Sequence, residues 1–372
     1  GDRRMQPEGD LMTAEVANDL VRLVKQGATI LIMQPAGADP GLSDRAAKDA
    51  EVKSDFQQLT GGVFRRVNGP SGSWQMKALG KGRVIRGPFQ ASSLAGIGIT
   101  PDLTFKDPHG SHASEMAWTH RVVKDSDIYF ISNPLDSARM LEASFRVAGK
   151  VPEIYNPVTG SVYEAGDWRS ENGRTVLPLR LPPGGSLFVI LAGKATRSAG
   201  HHGLNWKKTV SSTVIGGPWK LRFDTAKGGP ASPVIFPELR DWRKDKAPAI
   251  RYYSGTVVYR KQFNWKGTLA KGEHLWLSLG DVYDVADVRV NGKECGVAWT
   301  RPYEVDVTPA VVAGENSLEI SVTNTWRNRL IGDRHSGDST HVTWTTAPDY
   351  LKDKPLLSSG LLGPVTLKVT RR

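Results

Sequence analysis

The sequence is poor in the features that mark disulfide-rich, zinc-knuckle and membrane proteins. It contains a single cysteine, Cys295, in 372 residues, which excludes a disulfide framework and a zinc site built on cysteines. A packed free thiol is the expected role of Cys295. No uncharged apolar run approaches the ~20 residues that a membrane helix needs. We therefore expect no membrane partner.

Motifs for nucleotides and nucleic acids are also missing. No G-x-G-x-x-G opens a helix, no Walker loop is present, and no zinc-finger, RNA-recognition or helix-turn-helix pattern occurs. We therefore expect no nucleic-acid partner.

The abundant residues are Gly (39), Pro (23) and Trp (11), and this composition favours many turns and short strands. The length predicts two or three domains.

Positive charge is concentrated in one stretch. The net charge is +11, and residues 197–261 hold thirteen Lys and Arg against four Asp and Glu. Such a stretch can attract an acidic polysaccharide, or it can be a solvated surface and linker. The adjacent His201 and His202 are interpreted as linker residues, because neighbouring side chains on a strand point to opposite faces.

Residues 1–115 have the pattern of a small α/β domain. Thr13 is a suitable helix cap and Gly27 a suitable stop. The helix between them is expected to bury one apolar face, formed by Val16, Leu20, Leu23 and Val24. A buried strand over 28–33, a helix over 43–59 and a strand over 82–87 complete the prediction.

The rest of the chain has the pattern of β-structure. Residues 116–195 contain short strands separated by Pro- and Gly-containing turns, which predicts an antiparallel β-sandwich. Residues 196–215 are predicted to be a linker. Residues 216–372 show about eight strands, with Asn291 and Gly292 in a hairpin turn, and are expected to form a jelly roll.

Four segments of the last domain carry a resemblance to known proteins. Residues 280–293 (GDVYDVADVRVNGK) and 299–308 (WTRPYEVDVT) resemble the sugar-binding, galactose-binding-like jelly roll of family 2 type glycoside hydrolases. Residues 323–333 (TNTWRNRLIGD) and 358–365 (SSGLLGPV) resemble the C-terminal domain of α-L-rhamnosidases of glycoside hydrolase family 106. The resemblance continues upstream in family order. Residues 127–160 resemble the β-sandwich of those enzymes. Residues 11–103 resemble their flavodoxin-like accessory domain, akin to the trimerisation domain of some β-galactosidases.

The resemblance implies a multidomain α/β plus all-β protein from a bacterium, periplasmic or secreted, whose partner is carbohydrate. It places the catalytic (β/α)8 barrel upstream of Gly1, because a barrel needs ~200 residues or more. No catalytic residue is therefore assigned, and the chain alone is expected not to be catalytic. Three alternatives stay open: a free-standing carbohydrate-binding protein, an oligomerisation module, and a β-galactosidase-like hydrolase.

Candidate sugar contacts combine aromatic faces with planar hydrogen-bonding groups, since a pyranose stacks on indole and its hydroxyls bond to amides and guanidinium groups. The candidates, all expected in loops or near strand ends, are Trp299, Arg301, Tyr303, Trp326, Asn328, Arg329, Asp333, His335 and Trp344. The competing interpretation is structural. On that interpretation Trp299 and Trp326 close the core or bury an interdomain face, and Arg329 forms an internal ion pair with Asp333. The polar loop over 334–339 is the segment expected to be exposed.

The richest group of carboxylates is Asp281, Asp284 and Asp287. A spacing of three does not keep them on one strand face, so they are not interpreted as the carboxyl pair of a glycosidase. No cofactor is expected. A structural calcium ion held by these three residues remains an option.

Overall fold

The computed structural model describes residues 11–32, 35–69, 72–86, 99–335, 341–346 and 353–372. The ends of two predicted strands, at Met33 and Gly87, and most of the predicted 334–339 loop lie outside these residues. The chain divides into two compact units, Gly1–Asp102 and Leu103–Arg372. It is mostly β-structure, arranged in several sheets.

The first unit combines two helices with a mixed four-stranded sheet. The sheet order is β1-β4-β3-β2, with β1 parallel to β4 and the other pairs antiparallel. The elements are α1 (Ala14–Gln26), β1 (Thr29–Ile32), α2 (Arg45–Thr60), β2 (Arg65–Gly69), β3 (Gly72–Leu79) and β4 (Gly82–Arg86). Both helices contribute to one apolar core with Ile32 and Val84. The β2–β3 hairpin was missing from the sequence prediction.

Helix α1 has the predicted ends but buries a different face. The Thr13 side chain accepts a hydrogen bond from the Val16 backbone amide at 3.4 Å, and the helix ends at Gly27 with φ of 128°. The predicted apolar face is confirmed at Val24, which is buried, and at Leu20, which packs against the core, but it is wrong at Val16 and Leu23, which are exposed. The buried positions are Ala14, Ala17, Val21 and Val24. Small alanines on this face let the helix approach the sheet closely.

The second unit begins with a sandwich of two five-stranded sheets, which we call the first sandwich. Their orders are β10-β9-β13-β7-β6 and β14-β11-β12-β8-β5. All pairs are antiparallel, and inward side chains from both sheets share one core. The strands are β5 (Leu103–Lys106), β6 (Ala117–Val123), β7 (Ser126–Ser132), β8 (Arg139–Phe145), β9 (Lys150–Tyr155), β10 (Val162–Glu164), β11 (Asp167–Glu171), β12 (Arg174–Leu181), β13 (Ser186–Lys194) and β14 (Ala199–His201).

The second sandwich packs sheets of order β15-β26-β19-β23 and β17-β16-β18-β24-β21-β22 around a second core, with β20 and β25 as a separate pair. Its helices are α3 (Pro248–Arg251) and α4 (Arg327–His335), and Thr225–Lys227 and Trp242–Lys244 form short helical turns. The strands are β15 (Lys208–Val214), β16 (Trp219–Arg222), β17 (Val234–Phe236), β18 (Thr256–Trp265), β19 (Glu273–Ser278), β20 (Asp281–Tyr283), β21 (Val285–Val290), β22 (Lys293–Ala298), β23 (Glu304–Asp306), β24 (Gly314–Thr323), β25 (Gly360–Gly363) and β26 (Thr366–Arg371).

Two segments differ from the sequence-based division of the chain. Strand β5 lies inside the predicted first domain, yet it pairs with β8 of the first sandwich. The predicted linker 196–215 contains β14, which pairs with β11, and β15, which pairs with β26. No helix in the described part of the chain is both long and apolar enough to cross a membrane.

Candidate functional site

Two exposed tryptophans lie at one end of the second sandwich. Trp299 directly follows β22, and Trp326 precedes α4. The side chains are 57% and 68% exposed, so the alternative that they close the core is wrong for both. An indole left in water at this exposure offers a flat apolar face to a ligand.

Strand pairing brings the surrounding polar groups together. Asp284 donates its backbone amide to the carbonyl of Thr323 at 2.9 Å. One Asp284 carboxylate oxygen accepts a hydrogen bond from the backbone amide of Thr325 at 3.1 Å. Asp284 therefore lies beside the loop that carries Trp326. Partial burial raises the pKa of Asp284, an effect that the Thr325 hydrogen bond only partly opposes.

The loop between β22 and β23 supplies the other candidates. Tyr303 has a positive φ of 51°, and its amide bonds to the Thr300 carbonyl at 2.9 Å. Burial raises the pKa of Tyr303; the nearby Arg301 opposes this rise, and Asp284 adds to it. We name Trp299, Arg301, Tyr303, Trp326 and Asp284 the aromatic site. The sequence prediction included all of these as sugar contacts except Asp284.

Arg301 also touches the first sandwich. Its Nη1 lies 3.5 Å from the Oδ1 of Asp136, which is in the connection between β7 and β8. Both side chains are substantially exposed. An ion pair in this setting contributes little to stability, so Arg301 remains available to a ligand.

Three other candidates occupy helix α4 rather than the predicted loops, and their polar atoms are used within the chain. The Arg329 Nε lies 2.8 Å from Asp333 Oδ1, which confirms the internal ion pair. Asp333 Oδ2 accepts hydrogen bonds from the amide and hydroxyl of Thr343 at 2.9 and 2.6 Å. Burial raises the pKa of Asp333, but the hydrogen bonds from Thr343 and Arg329 outweigh it and hold the pKa below its usual value.

Asn328 is the third of these residues and is only 1% exposed. Its Nδ2 donates to the Leu357 carbonyl at 2.7 Å and to the Ser359 hydroxyl at 2.9 Å. Its Oδ1 accepts from the Leu357 amide at 2.8 Å. Asn328 thereby fastens the segment before β25 to helix α4. All of its side-chain polar atoms are engaged in this role.

The last two candidates lie at the far end of α4. His335 is its last residue and is exposed, and Trp344 is 82% exposed. Trp344 follows Thr343, the residue that bonds to Asp333. It therefore lies beside α4 and is held there by the Asp333 contacts.

The predicted carboxylate group separates in the structure. Asp281 is exposed, Asp284 belongs to the aromatic site, and Asp287 has its Oδ1 3.8 Å from the Nε of Arg289. Within the residues described, no three His, Cys, Asp or Glu side chains are grouped as a metal ion would require. The structure thus offers no support for the calcium option.

The basic stretch contributes to a cationic row on the outer face of the six-stranded sheet. Cross-strand pairing aligns Lys220 with Arg260, Arg260 with Glu319, and Glu319 with Arg289. A shallow cavity of about 600 Å³ lies over these side chains. The Arg260 Nε is 2.7 Å from Glu319 Oε2, so part of this positive charge is neutralised internally.

Two family models match separate parts of the chain. Residues 4–168 match the glycoside hydrolase family 106 model, described as alpha-L-rhamnosidase. Residues 243–351 match the model described as glycosyl hydrolase 2 galactose-binding domain-like.

Two individual proteins also match the chain. The structure of a rhamnosidase from Novosphingobium sp. PP1Y matches 97% of this chain with a TM-score of 0.79 and 34% identity. A Formosa agariphila protein named "Putative beta-glucuronidase" is 35% identical over 187 residues, or 44% of this chain. The chain spans 32% of the rhamnosidase and 16% of the Formosa protein. This chain is therefore similar to one part of a rhamnosidase and contains a galactose-binding-like region in its second sandwich.

Proposed function

We propose that the chain is the accessory and carbohydrate-contacting region of a bacterial α-L-rhamnosidase of glycoside hydrolase family 106. The observation that carries this proposal is the similarity to the Novosphingobium rhamnosidase, which extends over 97% of this chain but only 32% of that protein. Bond cleavage then belongs to a catalytic barrel in another part of the same polypeptide. We place the protein in the periplasm or outside the cell.

The surroundings of the carboxylates Asp284 and Asp287 support this assignment. Hydrolysis of a glycosidic bond usually needs two carboxyl groups facing the bond, ~5–10 Å apart. Asp284 is partly buried and bonded to the Thr325 amide, while Asp287 is close to Arg289. Each carboxylate thus has its own partner within the chain, the Thr325 amide or the Arg289 guanidinium, and we assign both a positioning role. We therefore give the aromatic site a binding role.

Turnover assays test whether hydrolysis requires the catalytic barrel. The chain alone should not hydrolyse nitrophenyl-α-L-rhamnoside, whereas a protein that also contains the barrel should. A nitrophenyl-β-galactoside assay of the chain addresses the β-galactosidase-like alternative. Turnover of either substrate by the chain alone would refute the proposal.

In the aromatic site, the indoles of Trp299 and Trp326 would stack on the apolar face of a sugar, and Arg301 and Tyr303 would bond to its hydroxyls. Replacing either tryptophan by alanine should weaken binding of a rhamnose-terminated oligosaccharide about tenfold, the equivalent of ~1.4 kcal/mol. The matched control is Trp118→Ala, which removes an exposed indole from β6 of the first sandwich. Calorimetry showing equal affinity for all three variants and the parent chain would remove the sugar-binding role.

For the first unit we propose a flavodoxin-like accessory domain, and for the second sandwich a jelly roll. The parallel β1–β4 pair and the core shared with both helices favour the first assignment. The antiparallel β2–β3–β4 meander departs from an all-parallel flavodoxin sheet. The jelly-roll assignment rests on two antiparallel sheets that enclose one core.

A second candidate function, oligomerisation, is favoured by one observation. Val16 and Leu23 are exposed on α1, on the apolar stripe that the sequence predicted to be buried. A second copy of the chain would cover this stripe. Light scattering should then show an oligomer that Leu23→Glu dissociates and that Leu42→Glu, at another exposed leucine, leaves intact. A monomer at high concentration would eliminate this candidate.

A further inference from the structure

A second cavity lies between the two sandwiches of the second unit. Its volume is about 540 Å³, within the range of small-molecule sites, ~300–1,000 Å³. One wall is the turn between β9 and β10, with Thr159 and Ser161. The opposite wall comes from β19, β23 and β26, with Trp276 and Asp306. No residue of the aromatic site lines it.

Two cations of this cavity are stacked on aromatic rings rather than paired with acids. The Lys207 Nζ lies 2.9 Å from the centre of the Trp276 ring. The Arg372 guanidinium lies 3.5 Å from the centre of the Tyr163 ring. Among the residues that the structure describes, no carboxylate lies within 4.0 Å of either cation.

The acids of the cavity are engaged elsewhere. Glu304 accepts from Lys368 Nζ at 2.7 Å. Asp306 Oδ2 lies 3.2 Å from His274 Nδ1, and its Oδ1 accepts from the Thr308 amide at 2.9 Å. The acids are thus occupied, while Lys207 and Arg372 each retain capacity for an anion.

Burial makes an added anion favourable at this position. Burial is the main cause that lowers the pKa of Lys207 to about 8. The charges of Glu304 and Asp306 raise this pKa, and the charges of Arg372 and Lys368 lower it. A desolvated ammonium group without a carboxylate partner is costly. A bound carboxylate would relieve that cost and stabilise the charged form.

We propose that this cavity binds a sugar that carries a carboxylate, a uronic acid, with its carboxylate at Lys207 and Arg372. The hydroxyl groups of such a sugar match the donors and acceptors of Thr159, Ser161 and the His274–Asp306 pair. A sugar fits better than a small bare anion, because the cavity is also lined by hydroxyl groups, Thr159 and Ser161, and by the imidazole of His274. The inference is independent of the proposed function and concerns the cavity between the two sandwiches, not the aromatic site.

Calorimetry with D-glucuronate and D-galacturonate near neutral pH tests the proposal. Lys207→Met keeps the aliphatic stem over Trp276 but removes the charge, and it should weaken uronate binding at least about tenfold. Lys207→Arg keeps a charge and should retain most of the affinity. Lys220→Met, on the outer sheet face, is the matched control and should bind like the parent chain. Thermal melting of each variant separates loss of binding from loss of folding.

Other ligands and pH complete the test. Uronate affinity should fall as the pH rises above about 8, because Lys207 loses its charge. In this pH range binding should be accompanied by proton uptake, which is measured from the dependence of the binding heat on the buffer. The charged and titratable groups around Lys207 are His274, Glu304, Asp306, Lys368, Arg371 and Arg372. Equal affinity for D-glucose, equal affinity for acetate or sulfate, unchanged binding by Lys207→Met, or no uronate binding at millimolar concentration would each overturn the proposal.

Discussion

Asn328 provides a sharp test of the distinction between structural and sugar-binding side chains, because it lies two residues from Trp326. Replacing Asn328 by alanine removes three hydrogen bonds, of 2.7, 2.8 and 2.9 Å, to Leu357 and Ser359. A net hydrogen bond is worth ~1 kcal/mol, and buried groups left unpaired cost ~1–3 kcal/mol more. We expect the free energy of unfolding to fall by about 3–5 kcal/mol. In a unit of this size that lowers Tm by roughly 6–15 °C.

Urea denaturation and calorimetric melting measure this loss. The matched control is Asn264→Ala, at an exposed position of β18, which should change stability by less than ~0.5 kcal/mol. Trp326→Ala should also leave Tm nearly unchanged while weakening oligosaccharide binding. If Asn328→Ala melts like the parent chain but loses sugar affinity, then its amide meets the ligand and the structural reasoning is wrong.

Three further predictions concern other parts of the fold. Gly82→Ala should destabilise the first unit by about 3 kcal/mol, because the new Cβ would lie 2.2 Å from the backbone carbonyl oxygens of Val24 and Ala28. Gly37→Ala meets nothing within 4 Å and is the control, and calorimetric melting compares the two variants. Tyr259→Phe should lower the free energy of unfolding, measured by urea denaturation, by about 2–3 kcal/mol, since the buried Trp242 Nε1 loses its 2.6 Å acceptor. The folded pKa of Lys207, about 8, lies below its ordinary 10.5. The unfolded chain therefore holds more protons between these pH values, and folding stability rises with pH across this window. Relative to Lys207→Met, the parent chain should gain about 1 kcal/mol between pH ~7.5 and ~9.

Features of the fold that depend on neighbouring residues could be predicted from the sequence, whereas features that depend on long-range packing could not. Turn chemistry is local, so the hairpin turn at Asn291 and Gly292 is found where the sequence predicted it. The buried face of α1 is not local information. Both Val16 and Val24 fit a helical stripe, but only the packed sheet decides that Ala14 and Ala17 face inward. Short edge strands such as β14 and β15 carry few apolar residues, so their pairing is invisible to periodicity.

The candidate site shows the same limit at the level of single side chains. Trp299 and Trp242 are the same residue type, yet one is exposed and the other is fully buried, and composition alone cannot separate them. The sequence motif around Trp326 lies at the end of the second sandwich that carries the aromatic site, because its backbone connects β24 to α4. Its polar residues Asn328 and Asp333 are buried together with Ile331 and Gly332 of the same helix. Ile331 and Gly332 are three and four residues from Asn328, a spacing that places side chains on one side of a helix. A predicted helix over this motif would have assigned them to the interior. Lys207 could not be found from sequence at all, because its aromatic partner, Trp276, is far along the chain and meets it only through the folded sheet.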